Sequence, residues 1–124
     1  MRRCVVVEDA ELVGSVLGAQ LTEWGWETVI ANRPDEALEM MSIAATNIVL
    51  LDWDLPNLGA LDVLAGMAPM PDDQRPHVLI MMAECDPKQI ALAREAGVTD
   101  TLEKPIDHHA LKSALERSLA SCAA

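Results

Sequence analysis

The segment IVLLD (Ile48–Asp52) is five residues long, apolar over its first four positions, and ends in an acid. The segment CVVVED (residues 4–9) has the same arrangement near the N-terminus, and TLEK (residues 101–104) ends a third short run in a lysine. Continuously apolar runs of this length are typical of strands buried on both faces of a parallel sheet. Because the carboxyl ends of parallel strands meet at one edge, we expect these charged side chains to gather there.

Segments with helical spacing of apolar residues separate the apolar runs. This alternation predicts a doubly wound α/β domain with right-handed crossovers and helices on both faces of the sheet. Gly25 is expected to end the first helix, and Asp86 and Asp107 are expected to cap the fourth and fifth. The predicted strands span 4–7, 27–31, 48–52, 78–82 and 100–103, and the predicted helices span 11–24, 58–68 and 87–97, with two more beginning at 34 and 108.

Three of these helices have a clear inward-facing set of apolar residues. We expect Val13, Leu17, Leu21 and Trp24 to face the core from the first helix. The second is expected to bury Ala37, Leu38 and Met41, and the fifth Leu111, Leu115 and Leu119.

Length and composition predict one domain over residues 1–124, with a core of about 3–119 and a tail at 120–124. Half of the residues are apolar, and Phe and Tyr are absent, so the core must be aliphatic. A net charge of −11 argues against nucleic acid and anionic membranes as partners. No apolar run approaches the ~20 residues of a membrane helix. With three scattered cysteines and no signal peptide, a cytoplasmic location is expected.

Three acids and a lysine at one sheet edge suit a divalent cation and a phosphoryl group. Mg²⁺ prefers an octahedral shell of oxygens. Asp9 and Asp52 can each supply a carboxylate oxygen, Glu8 can act through water, and a backbone carbonyl just past Asp52 can complete the set. Asp52 can also accept a phosphoryl group as an acyl phosphate, with the Lys104 ammonium on a phosphoryl oxygen. A cis bond before Pro105 would aim that lysine inward.

Taken together, the motifs resemble those of response-regulator receiver domains, from Cys4 to about Leu119. The matching segments are VVVED (residues 5–9), LLDWDLP (residues 50–56) followed by Gly59, and EKP (residues 103–105). The Asp52-Trp53 pair is most similar to that of chemotaxis-type, single-domain receivers. The resemblance implies a flavodoxin-like (βα)5 fold with strand order 2-1-3-4-5.

The resemblance also implies roles for individual residues. Asp52 would be the phosphoacceptor, Glu8 and Asp9 the acidic pair that holds Mg²⁺, and Lys104 the family's lysine. Asp54 would give its backbone carbonyl to the metal, with its side chain near the water that hydrolyses the phosphate.

Two positions depart from the family pattern. Met82 stands where the family has Ser or Thr, and a thioether cannot donate a hydrogen bond to a phosphoryl oxygen. Thr101 stands where the family has Tyr or Phe. We therefore expect that the usual switch through helix four, strand five and helix five does not operate in its usual form.

The leading functional hypothesis is a stand-alone response regulator of a two-component system or phosphorelay. It would take a phosphoryl group from a phosphohistidine on a sensor histidine kinase or histidine phosphotransfer protein, and signal by binding a downstream protein. It would not be an ordinary enzyme, showing at most weak self-phosphorylation and self-hydrolysis. Gly14 and Gly18 indicate either close packing of helix one or a smooth docking surface. The candidate docking residues beside the acidic pair are Ala10, Leu12, Val13, Gly14 and Val16.

Three alternatives remain open. The first is a degenerate receiver that acts as an adaptor without phosphorylation, which Met82 and Thr101 motivate. The second is a phosphatase-class hydrolase with an Asp nucleophile, for which Asp54 would be the second acid, although the further motifs of that class are missing. The third is a receiver cut from a longer regulator.

Overall fold

The computed structural model describes residues 2–123; Met1, Ala124 and the side chains of 121–123 lie outside the described part. Five strands alternate with five helices, and a short 3-10 turn, Pro56–Leu58, precedes the third helix. The strands are β1 Arg3–Val7, β2 Glu27–Ala31, β3 Ile48–Asp52, β4 His77–Met82 and β5 Asp100–Glu103. The helices are α1 Glu11–Glu23, α2 Pro34–Ile43, α3 Gly59–Met67, α4 Pro87–Glu95 and α5 His108–Ala123.

The strands form one fully parallel sheet in the order β2-β1-β3-β4-β5, which confirms the predicted order. In the register of the central strands, Val7 pairs with both Ala31 and Leu51, and Asp52 pairs with Met81. The carboxyl ends of these strands are therefore level with one another. The residues that follow β1 and end β3 emerge at a single edge.

The core has two layers because successive strand residues point to opposite faces of the sheet. On one face, Val5 and Val7 pack with residues of α2, α3 and α4. On the other, Cys4 and Val6 pack with α1 and α5. The expected residues of α2 and α5 point inward: Ala37, Met41, Leu111 and Leu115 are buried, and Leu38 and Leu119 are partly buried against the core.

The predicted inward face of α1 was wrong at one position. Val13 is 44% exposed, and the buried residues of the helix are Gly14, Leu17, Gly18 and Leu21. A Cβ at Gly14 or Gly18 would lie 3.2 or 3.0 Å from side-chain atoms of Ile30 on β2. The two glycines thus allow α1 to lie close to the sheet, and the close-packing alternative for them is the one the structure supports.

The helix ends follow local chemistry. The Asp86 side chain accepts a hydrogen bond of 3.1 Å from the Lys88 N–H, and Asp107 accepts from the first N–H groups of α5. Gly97 follows α4 with φ +104°, a conformation that favours glycine. Helix α4 ends at Glu95, two residues before the predicted end.

Strands β2, β3 and β5 have the predicted bounds, whereas the boundaries of several other elements shift by one or a few residues. Strands β1 and β4 each begin one residue earlier than predicted, and α1 ends one residue earlier. Helix α3 begins at Gly59 and ends at Met67 rather than spanning 58–68. Helix α5 continues through residues 120–123, which were predicted to form a tail, while Ala124 lies outside the described residues. Within residues 2–123, no helix has the length and apolar character needed to cross a membrane.

Candidate functional site

Three acids come together at the carboxyl edge of the sheet. Glu8 directly follows β1, where its N–H donates to the Ala31 carbonyl at 3.0 Å, and Asp52 ends β3. Each is only 2% exposed, whereas Asp9 faces solvent. One carboxylate oxygen from each of the three lies within 4.8 Å of the others. The strand ends thus bring together the acids that the sequence predicted at this edge.

The Glu8 carboxyl group is buried at this edge and is costly to ionise there. One oxygen, Oε1, accepts the Ala10 N–H at 3.1 Å, while the buried Oε2 has no hydrogen-bond donor within the described residues. Burial raises the pKa of Glu8 to about 7, and the neighbouring Asp52 carboxylate adds to the rise. The Ala10 N–H and the Lys104 charge offset part of this effect. An orphaned carboxylate oxygen beside two other acids is a donor set that fits a divalent cation.

Lys104 links β5 to the acids. Its Nζ lies 2.6 Å from Asp52 Oδ1 and 3.4 Å from Asp54 Oδ2. Its backbone N–H donates to the Met82 carbonyl at 2.7 Å, and the bond to Pro105 is cis, as the sequence predicted. Burial alone would lower the pKa of Lys104, but its hydrogen bond to Asp52 and the charges of Asp52 and Glu8 leave that pKa raised. The side chain is therefore a firmly held ammonium group.

Asp54 has contacts that the sequence analysis did not anticipate. Its N–H donates to Asp52 Oδ1 at 2.9 Å, and its side-chain Oδ2 accepts the Ala83 N–H at 3.0 Å as well as contacting Lys104. Ala83 has no chemically distinctive side chain, so no motif could single it out. The metal-binding role of the Asp54 carbonyl stays a prediction.

The two departures from the family pattern occupy different environments. Met82 is fully buried and packs in the core with Ile80 and Val49. Because its side chain is a thioether, it supplies no hydrogen-bond donor at the end of β4. Thr101 is partly buried on β5. Trp53, beside the acceptor position, donates its ring N–H to Gln89 Oε1 at 3.0 Å and thereby connects the β3–α3 loop to α4.

An apolar face lies next to the acids on α1. Leu12, Val13 and Val16 are 78%, 44% and 53% exposed, and Ala10 is also exposed. Gly14, predicted to belong to this docking surface, is instead buried against Ile30. A groove of about 370 Å³ runs from this face towards the start of α5; it is lined by Leu12, Val13, Val16, Leu17, Met81, Lys104, Pro105, Ile106 and His108.

Comparison with known proteins identifies the family. The family model described as the response regulator receiver domain matches residues 4–116. The chain belongs to this family. The fold and the acidic edge described above are those of a receiver domain.

Curated relatives include a sensor kinase, a transcriptional regulatory protein and a chemotaxis protein. This receiver domain is 29% identical over 111 residues to the CAI-1 autoinducer sensor kinase/phosphatase CqsS of Vibrio cholerae, covering 89% of this chain but 16% of that protein. It is 29% identical to the transcriptional regulatory protein ZraR of Escherichia coli, covering 94% of this chain and 26% of ZraR. With the chemotaxis protein CheY of Pseudomonas aeruginosa the identity is 27%, over 93% of this chain and 94% of CheY.

Solved structures show the same fold. The chemotaxis response regulator CheY4 of Vibrio cholerae aligns with a TM-score of 0.86 at 20% identity, over 95% of this chain and 98% of that one. A response regulator receiver protein from Burkholderia phymatum aligns with a TM-score of 0.82 at 23% identity, over 97% and 96%.

Proposed function

We propose that this receiver domain accepts a phosphoryl group on Asp52 and passes the signal on by binding another protein. One observation carries the proposal: the buried Asp52 carboxylate is bonded to the Lys104 ammonium at 2.6 Å, next to Glu8 and Asp9. Asp52 offers a nucleophilic oxygen, Lys104 offers a positive charge for the phosphoryl group, and Glu8 and Asp9 offer further oxygens for a metal ion. Phosphoryl transfer requires mainly positioning and charge stabilisation, and this arrangement provides both.

The donor would be a phosphohistidine on a sensor histidine kinase or a histidine phosphotransfer protein. A carboxylate oxygen of Asp52 bonds to phosphorus while the phosphorus–nitrogen bond of the donor breaks, and the imidazole keeps the electron pair and takes up a proton. Lys104 stays beside the transferred group and balances its negative charge. Mg²⁺ is the cation that suits the site, with Asp9 and Asp52 as direct ligands, Glu8 through water and Asp54 through its carbonyl; it would neutralise phosphoryl charge.

The exposed side chains of α1 provide a surface for the phosphodonor. Leu12, Val13 and Val16 form an apolar face next to the acids, continuous with the groove that reaches Ile106. An amphipathic helix with an apolar stripe fits such a groove. Docking there would bring a histidine on that helix towards Asp52. Beyond the transfer itself, we propose only weak self-phosphorylation and self-hydrolysis.

The test is intact-mass measurement after incubation with Mg²⁺ and either acetyl phosphate or a panel of phosphorylated kinases. The expected result is a gain of one phosphoryl group that is absent in Asp52→Asn. Asp62→Asn is the matched control, because Asp62 is an exposed acid of α3 and should leave the gain intact. An undiminished gain in Asp52→Asn would contradict the assignment of the acceptor.

A second candidate function is an adaptor that works without phosphorylation. The buried thioether of Met82 favours it, since this side chain leaves β4 without a hydroxyl at the phosphoryl site. No mass gain from any donor, together with unchanged partner binding in Asp52→Asn, would support the adaptor instead.

A further inference from the structure

Two hydrogen-bond donors converge on one point beside Asp52. Asp54 Oδ2 lies 3.0 Å from the Ala83 nitrogen and 3.4 Å from Lys104 Nζ. The same Lys104 Nζ is 2.6 Å from Asp52 Oδ1. A single oxygen that contacts a backbone N–H and an ammonium group marks a position suited to an anion. This anion position is within reach of a group attached to Asp52.

A phosphoryl group on Asp52 would need these donors. Its oxygens carry charge that must be met by N–H groups or cations in a site that is partly closed to water. Met82 contributes no donor from the end of β4. Lys104 and the Ala83 N–H are therefore the groups within the described residues that a phosphoryl oxygen would use at this point, and Asp54 already contacts both.

We propose that the Asp54 carboxylate is an internal competitor that occupies the phosphoryl position until Asp52 is modified. This inference rests on the proposed function and adds a specific role for the Asp54 side chain. The side chain is 45% exposed and lines an open groove with Trp53, Ala83 and Gln89, so it has space to turn away. Acceptance of a phosphoryl group is then an exchange of one anion for another at the same two donors.

This competition lowers the affinity of the unmodified protein for a phosphoryl group or a phosphoryl mimic. With the carboxylate in place, a phosphoryl oxygen must displace a charge-assisted contact before it can make its own. Removal of the carboxylate leaves the Ala83 N–H and part of the Lys104 charge available. The backbone carbonyl of Asp54, predicted to face the metal, is retained in any side-chain substitution.

The experiment titrates beryllofluoride, a phosphoryl mimic, into the full chain at saturating Mg²⁺. Wild type, Asp54→Ala, Asp54→Asn and Glu84→Gln are compared by calorimetry and by the amide resonance of Ala83. Glu84→Gln is the matched control because Glu84 lines the same groove and its substitution removes the same charge. The Glu84 side chain makes no described hydrogen bond to Ala83 or Lys104. Asp54→Ala should bind beryllofluoride roughly tenfold more tightly than wild type, the scale of one hydrogen bond to a charged group.

Asp54→Asn should fall between wild type and Asp54→Ala, because an amide oxygen can still accept from Ala83 without attracting Lys104. The Ala83 resonance should already be displaced in uncomplexed Asp54→Ala. Equal affinities for wild type and both Asp54 variants, an equal gain in Glu84→Gln, or no binding by any variant would overturn the proposal. Tighter binding in the Asp54 variants without phosphoryl transfer to Asp52 would overturn the proposed function alone.

Discussion

Replacing Glu8 by Gln should make the metal-free protein more stable while impairing its chemistry. Glu8 is buried, its Oε2 has no donor within residues 2–123, and the Asp52 carboxylate lies close by. A glutamine of the same shape keeps an oxygen for the Ala10 N–H and carries an amide that can donate to Asp52. The substitution therefore removes a poorly solvated charge without opening a cavity.

The size of the gain follows from the pKa of Glu8, which burial raises from its ordinary 4.5 to about 7. The folded state holds this proton more tightly than the unfolded chain, so wild-type stability falls as pH rises from 4.5 through 7. The full rise in the pKa of Glu8 corresponds to a loss of folding stability of roughly 3 kcal/mol at most. Because the edge opens to solvent at Asp9, we expect a net gain for Glu8→Gln of about 1–2 kcal/mol above pH 7.

Urea unfolding in EDTA at pH 5 and pH 8 measures this effect. Glu8→Gln should exceed wild type at pH 8 and approach it at pH 5, whereas the exposed control Glu84→Gln should stay within about 0.5 kcal/mol of wild type at both. Millimolar Mg²⁺ should then stabilise wild type more than Glu8→Gln, since a ligand bound only by the folded state raises its stability. A gain of equal size at both pH values, or a loss at pH 8, would refute the reasoning.

Three further substitutions test local features by urea unfolding. Leu58→Gly should raise the free energy of unfolding by about 0.5–1 kcal/mol, because Leu58 has φ +58° and is 72% exposed. Leu12→Gly, at an exposed helical position, should lower it by up to about 1 kcal/mol. Burial opposes ionisation of Asp100, yet its hydrogen bond to Arg117 at 2.8 Å lowers its pKa. Arg117→Gln should therefore cost about 0.5 kcal/mol at pH 7, a difference that shrinks as pH falls below the ordinary 3.8 of Asp100.

The strands were predictable because their pattern has one dominant cause. A run such as Ile48–Asp52 is apolar at successive positions only when both faces of a strand are covered. The buried faces of the helices were harder to predict from the sequence, as α1 shows. Apolar spacing favoured Val13, but the two glycines at 14 and 18 let the helix approach Ile30 and turned the adjacent face inward. The spacing of apolar side chains does not reveal a buried helix face that is formed partly by glycines.

The grouping of the acids and Lys104 followed from strand polarity alone. Contacts between loops did not, because they depend on how each loop folds after it leaves its strand. The Asp54 side chain meets Ala83 across 29 positions of sequence, and Trp53 meets Gln89 across 36. The positive φ at Leu58 also arises from the loop path rather than from residue preference, since Leu disfavours that conformation, whereas Asn, which precedes it at position 57, adopts it more readily.

The donors present at the site indicate how phosphorylation would be transmitted. Met82 is buried in the core and has no hydroxyl group, so no side chain at this position can move to hydrogen-bond a phosphoryl group. The donors that remain near Asp52 include the Ala83 N–H, at the start of the loop that leads to the Asp86 cap of α4, and the Lys104 ammonium. We therefore expect backbone shifts caused by a phosphoryl mimic to concentrate in the β3–α3 and β4–α4 loops. Large shifts that reach Thr101 and α5 would show that the switch operates through β5 despite the missing hydroxyl and aromatic ring.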